Sequence, residues 1–182
     1  MAFTLLLDRS GSMADVISDV QESAKSFLKD LPPSAECALA SFNGSFSYHN
    51  LYFQNCNGGD FKLQTLSAEG GTDLYSPLLS AYESLSRECF EDYQKAVILI
   101  TDGQIPSDDE TKKELLAAKN DTLTFVNFLG NKNDEQLIGL ADAYLQTTSD
   151  IKSSLQQYFH SLSTAYGAQK VLVVKSCNGG KP

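Results

Sequence analysis

Segments with a strand pattern and segments with a helix pattern alternate along this chain. Residues 3–7 form a run that is apolar except for Thr4, which is typical of a strand buried on both faces of a parallel sheet. Over residues 13–31 apolar side chains recur every three or four positions, which predicts an amphipathic helix. Pro32 and Pro33 end that helix, because proline cannot continue the hydrogen-bond ladder. This alternation favours a layered α/β fold.

The rest of the chain follows the same two patterns. Asn43 and Gly44 form a typical hairpin turn, so we expect the strand after them to be antiparallel to its neighbour and to lie at a sheet edge. Further strands are predicted over residues 37–42, 45–53, 96–100, 123–128, 144–147 and 171–175. Further helices are predicted over residues 74–90, 108–119, 134–143 and 150–166.

Length and charge limit the classes of function. One hydrophobic core can serve 182 residues, so we expect one domain. There are 14 basic and 23 acidic side chains, which gives a formal net charge of −9. Because negative charge is repelled by phosphate backbones and anionic lipids, we expect neither nucleic acid nor a membrane as a partner. With no leader-like segment and no apolar run of membrane-spanning length, a cytoplasmic location is the simplest expectation.

The residues that suggest chemistry lie where buried strands end. Asp8, Ser10 and Ser12 follow the first predicted strand within the segment Asp-Arg-Ser-Gly-Ser. In open α/β sheets, ligand sites lie beyond the carboxyl ends of the strands. Gly11 permits a tight turn, so the two serine hydroxyls can point to one place. A carboxylate with two hydroxyls is an all-oxygen ligand set of the kind that hard divalent cations prefer.

Two further segments add oxygen atoms to this set. Asp102 follows the most apolar strand, at a position equivalent to that of Asp8 after the first strand. Because neighbouring parallel strands end at the same edge of a sheet, we expect the two carboxylates to lie together. Thr72 follows two glycines just before a helix and offers another hydroxyl.

These three segments, in this order, resemble the metal-ion-dependent adhesion site (MIDAS) of von Willebrand factor A (VWA) domains. The resemblance covers the chain from residue 3 to about residue 166. It implies a Rossmann-like three-layer sandwich, with a mainly parallel central sheet, one antiparallel edge strand and helices on both faces. Residues 1–168 would be the VWA domain, and residues 169–182 an additional strand and tail. The compact form is similar to bacterial stand-alone VWA domains of tellurium-resistance and stress systems.

The resemblance also implies a ligand set and a function. A divalent cation, Mg²⁺ in the first place with Mn²⁺ or Ca²⁺ as alternatives, would be bound by Asp8, Ser10, Ser12, Thr72 and Asp102. The hydroxyls would bind directly, and the aspartates directly or through water. Family members use a remaining coordination position to hold an Asp or Glu of a partner protein. We therefore expect a metal-dependent protein-binding module and no enzyme.

Other interpretations of the same residues remain open. The metal could serve only to stabilise the fold, or Asp8 could be the nucleophile of a Mg²⁺-dependent phosphatase. The second is disfavoured, because such enzymes usually carry another Asp two positions later, where this chain has Ser10. Taken singly, Asp8 and Thr72 could be helix caps, and Ser12 and Asp102 turn residues. Their joint occurrence in the family's order favours the metal site.

Overall fold

The structure, a computed structural model, describes residues 1–50, 53–58, 61, 65–105, 108–131 and 133–167. Its strands are β1 (Ala2–Asp8), β2 (Glu36–Phe42), β3 (Phe46–Tyr48), β4 (Gln54–Asn55), β5 (Lys95–Thr101), β6 (Leu123–Leu129) and β7 (Ala143–Thr147). Its helices are α1 (Ile17–Asp30), α2 (Tyr75–Leu85), α3 (Asp109–Lys119), α4 (Glu135–Leu140) and α5 (Ile151–Gly167). Two short 3-10 helices span Gly11–Met13 and Glu88–Phe90.

All of these strands join one sheet, in the order β3-β2-β1-β5-β6-β7, with β4 also beside β2. The neighbours from β2 to β7 are parallel, whereas β3 and β4 pair antiparallel with the outer edge of β2. β1, β2 and β5 are buried along their whole length, as expected for strands covered on both faces. The predicted fold class, an open and mainly parallel α/β sheet with an antiparallel edge, is confirmed.

Alternate residues of the central strands fill two hydrophobic layers, one on each face of the sheet. Phe3 and Leu5 of β1 belong to the layer of α1 and α5, where the rings of Phe27 and Phe159 stack with centroids 4.6 Å apart. Leu6 points to the opposite layer, which contains apolar residues of α2, α3 and α4. Because helices cover both faces, polar side chains on these strands are best accommodated at the strand ends.

The first helix begins later than the apolar spacing predicted. Residues 13–31 were expected to be helical, but α1 begins at Ile17, and the segment Gly11–Met13 is a separate 3-10 turn. Met13 is fully buried, so its apolar side chain contributes to the core from this turn and not from the helix. The predicted helix over residues 74–90 is similarly divided into α2 and the second 3-10 turn.

The predicted edge strand over residues 45–53 is interrupted between β3 and β4. There the side chain of Asn50 replaces backbone pairing with β2. Leu39 N donates to Asn50 Oδ1 at 2.8 Å, and Asn50 Nδ2 donates to Cys37 O at 3.2 Å. One amide side chain can satisfy both groups because it carries a donor and an acceptor. The antiparallel direction and the edge position were predicted correctly, and the continuity of the strand was not.

Some predictions concern the end of the chain and the membrane. The predicted strand over residues 171–175, and the tail that was assigned to residues 169–182, lie outside the described residues. Among the helices that the structure does describe, none has the length and apolar character needed to cross a membrane.

Candidate metal centre

Asp8, the last residue of β1, forms the floor of the candidate site. Its carboxylate is fully buried and accepts two hydrogen bonds, from Ser10 N to Oδ1 at 2.8 Å and from Thr101 Oγ1 to Oδ2 at 2.5 Å. No lysine or arginine of the described residues forms an ion pair with it. Burial raises the pKa of Asp8, the hydrogen bonds from Thr101 and Ser10 lower it in part, and the charge of Asp102 raises it. A buried carboxylate in this environment favours a cation as a partner.

Ser10, Ser12 and Asp102 form a hydrogen-bonded series of side chains beside this floor. The hydroxyl oxygens of Ser10 and Ser12 are 3.2 Å apart, and Ser12 Oγ donates to Asp102 Oδ1 at 2.9 Å. Two residues separate the end of β1 from the 3-10 turn Gly11–Met13, and Gly11 N donates to Gly70 O at 3.0 Å. The ligand turn is thereby attached to the glycine-rich loop that precedes α2.

Thr72 reaches the site from that glycine-rich loop. It lines a surface pocket of about 270 Å³ together with Ser12 and Asp102. Its methyl group packs against Gly103, where an added β-carbon would lie 2.7 Å from Thr72 Cγ2 and 3.3 Å from Asp8 Oδ2. Gly103 therefore leaves the space in which the segments around β1, β5 and the loop approach one another.

The structure thus places all the predicted ligands at the carboxyl ends of β1 and β5. One detail of the prediction was wrong. Leu7 pairs with Ile100 in the sheet, so the residue level with Asp8 on β5 is Thr101, and Asp102 comes one position later. This offset explains why Asp8 is fully buried whereas Asp102 is partly exposed.

The spacing of the oxygen atoms suits a small, hard cation. Neighbouring ligands of an octahedral Mg²⁺ with bonds of about 2.1 Å lie roughly 3 Å apart. The measured separations are 3.2 Å between the oxygens of Ser10 and Ser12 and 2.9 Å between those of Ser12 and Asp102. Within the described residues no three His, Cys, Asp or Glu side chains are grouped to hold a metal. A cation at this site would therefore depend on the hydroxyl oxygens as well as on the two carboxylates.

Thr101 is a further residue of the candidate site, and the sequence motifs did not predict it. Its hydroxyl donates to Asp8 Oδ2 and accepts from Gly103 N at 2.8 Å. It therefore fixes both the carboxylate at the floor of the site and the turn that carries Asp102. The available signal was its position, since a threonine level with Asp8 on the neighbouring strand is a polar residue in an otherwise apolar run.

Two other residues near the site contact the glycine-rich loop. The Arg9 guanidinium lies 3.4 Å from Glu69 Oε1, and the Arg9 side chain is 18% exposed. Asn43 was assigned only to a hairpin turn, yet its Nδ2 donates to Glu69 O at 3.0 Å. Both residues connect the glycine-rich loop to the neighbouring strand ends.

Comparison with known proteins assigns this chain to a family. A family model described as von Willebrand factor type A domain matches residues 3–104, which is more than half of the chain. A von Willebrand factor A domain-containing protein of Dictyostelium discoideum is 24% identical, over 90% of this chain and 19% of the relative. The chain spans about a fifth of the length of the curated relatives that it matches.

Solved structures share the fold. A von Willebrand factor type A protein from Catenulispora acidiphila superposes with a TM-score of 0.71 at 15% identity, over 89% of this chain and 41% of that one. The pilus adhesin SpaC from Lactobacillus rhamnosus GG gives 0.73 at 14% identity, over 91% and 30%. At such low identity the likeness shows the fold alone. Taken with the family model, it shows that this chain belongs to the von Willebrand factor type A domain family, a family of protein-interaction modules that often depend on a metal.

Proposed function

We propose that this VWA domain binds a divalent cation, Mg²⁺, and uses it to hold an Asp or Glu of a partner protein. The ligands would be the side chains predicted from the sequence, namely Asp8, Ser10, Ser12, Thr72 and Asp102. One observation carries the proposal. Oxygen-bearing side chains from three separate segments meet around one surface pocket, above a buried carboxylate that has no cationic partner among the described residues.

The hydrogen bonds of the site leave suitable oxygen lone pairs for a cation. Ser12 donates its hydroxyl hydrogen to Asp102, so the lone pairs of Ser12 Oγ remain available. The two negative charges of Asp8 and Asp102 formally balance the charge of a divalent ion. A carboxylate that binds the ion through water compensates less of this charge than one that binds directly. A bound Mg²⁺ would supply an electrophilic coordination position facing the pocket. Thr72 and Ser12, both exposed, border that pocket and would orient the incoming carboxylate.

The environment of Asp8 argues against a phosphoryl-transfer enzyme. A nucleophilic carboxylate must reach the substrate, but Asp8 is 0% exposed and both of its oxygens accept hydrogen bonds. A cytoplasmic location and the likeness to bacterial stand-alone domains stay predictions from the sequence.

Titration calorimetry with Mn²⁺ tests the metal part of the proposal. Asp8→Ala should lower the affinity by roughly 100-fold or more, since even outer-shell changes cost 10- to 100-fold. Asp134→Ala is the matched control, because Asp134 is another buried aspartate (7% exposed) and caps α4 by accepting from Leu137 N at 2.8 Å. Equal heats from wild type and Asp8→Ala would exclude this site.

Acetate serves as the probe for the outside carboxylate. In the Mn²⁺-loaded protein, acetate should displace metal-bound water and reduce the enhancement of water-proton relaxation. A protein that binds Mn²⁺ but shows no response to acetate would have a closed, structural metal. That outcome would reject the carboxylate-binding part and favour the scaffold interpretation.

A further inference from the structure

Asn43 lies directly after β2 and uses every polar group of its side chain. Its Nδ2 donates to Glu69 O at 3.0 Å. Its Oδ1 accepts from Ser45 N at 3.0 Å and from Ser45 Oγ at 3.3 Å. The residue is only 8% exposed, so these hydrogen bonds are largely shielded from water and hold the side chain in one orientation.

The main chain of Asn43 contacts the other end of the same loop. Asn43 O accepts from Asp73 N at 2.5 Å. Glu69 and Asp73 flank the segment that carries Thr72, so one residue holds the loop on both sides of a proposed metal ligand. Between these two contacts Gly70 adopts a φ of +73°, a conformation that glycine adopts without strain.

The opposite side of the loop is bonded to the turn that carries the serines. Glu69 N donates to Arg9 O at 2.9 Å, and Gly11 N donates to Gly70 O at 3.0 Å. The loop is thus held between the β2–β3 hairpin and the turn after β1. A change at Asn43 would be transmitted to Thr72 from one side and to the turn containing Ser10 and Ser12 from the other.

We infer that Asn43 is a positioning residue of the metal centre, which holds Thr72 at its distance from Ser12 and Asp102. The effect of Asn43 on metal binding rests on the proposed function. Its effect on the position of the glycine-rich loop does not depend on that function. Hydrogen-bonding partners outside the ligand shell orient the ligands, and their removal typically weakens metal binding by 10- to 100-fold.

Asn50 offers a closely matched control on the same hairpin. It is also 8% exposed, its Oδ1 accepts from Leu39 N at 2.8 Å, and its Nδ2 donates to Cys37 O at 3.2 Å. In Asn43→Asp and in Asn50→Asp alike, a carboxylate oxygen replaces a donor that faces a backbone carbonyl. The first change touches the loop of Thr72, and the second changes hydrogen bonds to the backbone of β2.

The experiment compares Mn²⁺ affinity and thermal unfolding of the two variants at neutral pH. Both should unfold at a lower temperature than wild type. Asn43→Asp should bind Mn²⁺ about tenfold more weakly, and Asn50→Asp should stay within about twofold of wild type. The new negative charge of Asn43→Asp would by itself strengthen cation binding, so a loss must come from displaced ligands. Equal affinities for the two variants would overturn the inference.

If an aspartate variant does not fold, the uncharged variants Asn43→Ser and Asn50→Ser are compared in its place. Hydrogen exchange of the metal-free protein supplies a second readout, at the amides of Gly11 and Asp73. Faster exchange there in Asn43→Ser alone supports the positioning role, and equal exchange in both variants contradicts it. Wild type that takes up no Mn²⁺ would refute the proposed function, and this exchange comparison would still decide the role of Asn43.

Discussion

A buried charge lies at each end of the central strands, and the two charges have different kinds of partner. At the amino end of β5, the largely buried Lys95 ammonium lies 2.6 Å from the carboxylate of Asp121. At the carboxyl end of β1, the fully buried carboxylate of Asp8 receives hydrogen bonds from the hydroxyl of Thr101 and the amide of Ser10. Within the part of the chain that the structure describes, the Lys95 charge is balanced by an opposite charge, and the Asp8 charge only by neutral dipoles.

This difference separates residues that support the fold from residues that support a function. A buried charge with a partner costs little or stabilises, whereas a buried charge without one is costly. At the carboxyl end of the sheet, burial therefore disfavours the ionised form of Asp8, as the raised pKa of this residue shows. Such an arrangement is expected where a cation completes the charge balance.

Among residues outside the proposed ligand set, the largest effect should come from Thr101→Val, which keeps the shape and removes the hydroxyl that holds Asp8. We expect Mn²⁺ affinity to fall by about 10- to 100-fold, as for other partners outside the ligand shell. Thr124→Val is the control, because Thr124 is equally buried and its hydroxyl lies 2.8 Å from the hydroxyl of Tyr82, away from the site. Calorimetry that gives both variants the same affinity would contradict the role of Thr101.

A smaller effect is expected for Gly103→Ala. The added methyl group would lie 2.7 Å from Thr72 Cγ2, so Thr72 must move, at a cost of about 1 kcal/mol. That cost corresponds to a loss of about fivefold in Mn²⁺ affinity. Gly44→Ala is the control, since nothing lies within 4 Å of its β-carbon. Unchanged affinity in Gly103→Ala would show that the contact between Thr72 and Gly103 does not matter for binding.

The smallest effect concerns the other end of the strands. Asp121→Asn removes the partner of Lys95, and since the Asp121 side chain is 62% exposed, the loss should be about 1 kcal/mol of unfolding free energy. Mn²⁺ affinity should not change, because the whole length of β5 separates the two places. Urea unfolding measures the loss of stability, and calorimetry measures the Mn²⁺ affinity. Weaker Mn²⁺ binding in Asp121→Asn would show that the ion pair at the amino end of β5 also affects the metal site.

Much of this site could be predicted from the sequence because its signals are local. The apolar runs fix β1 and β5, and residues at their ends must then lie at one edge of the sheet. Asp8 and Asp102 are identified in this way without any knowledge of packing. The offset between them was not predictable, because it depends on the register of β1 against β5.

The supporting residues could not be predicted, because their partners are distant in sequence. Thr101, on β5, donates to Asp8 on the neighbouring strand β1, and Asn43 donates to Glu69 in the glycine-rich loop. An asparagine before glycine is explained fully by a turn, which conceals the second role of Asn43. The interruption of the edge strand has the same origin, since Asn50 bonds to the backbone of β2 in place of a strand pairing.

Unfolding free energies of wild type and Asp8→Asn, measured from acidic to neutral pH with and without Mg²⁺, show whether the buried Asp8 carboxylate belongs to a cation site. The pKa of Asp8 is raised above its ordinary value of 3.8, so the folded protein binds more protons than the unfolded chain between the two values. Metal-free wild type should therefore lose stability relative to Asp8→Asn as the pH rises through this window.

Saturating Mg²⁺ should stabilise wild type at neutral pH and leave Asp8→Asn nearly unchanged, because a ligand that binds only the folded state stabilises it. Asp8→Asn loses one of the two hydrogen bonds that the Asp8 oxygens accept, so the pH dependence and the Mg²⁺ response, and not the absolute stability, are compared. Wild type whose stability relative to Asp8→Asn does not fall as the pH rises, and that does not respond to Mg²⁺, would show that the Asp8 carboxylate is a structural residue and not part of a cation site.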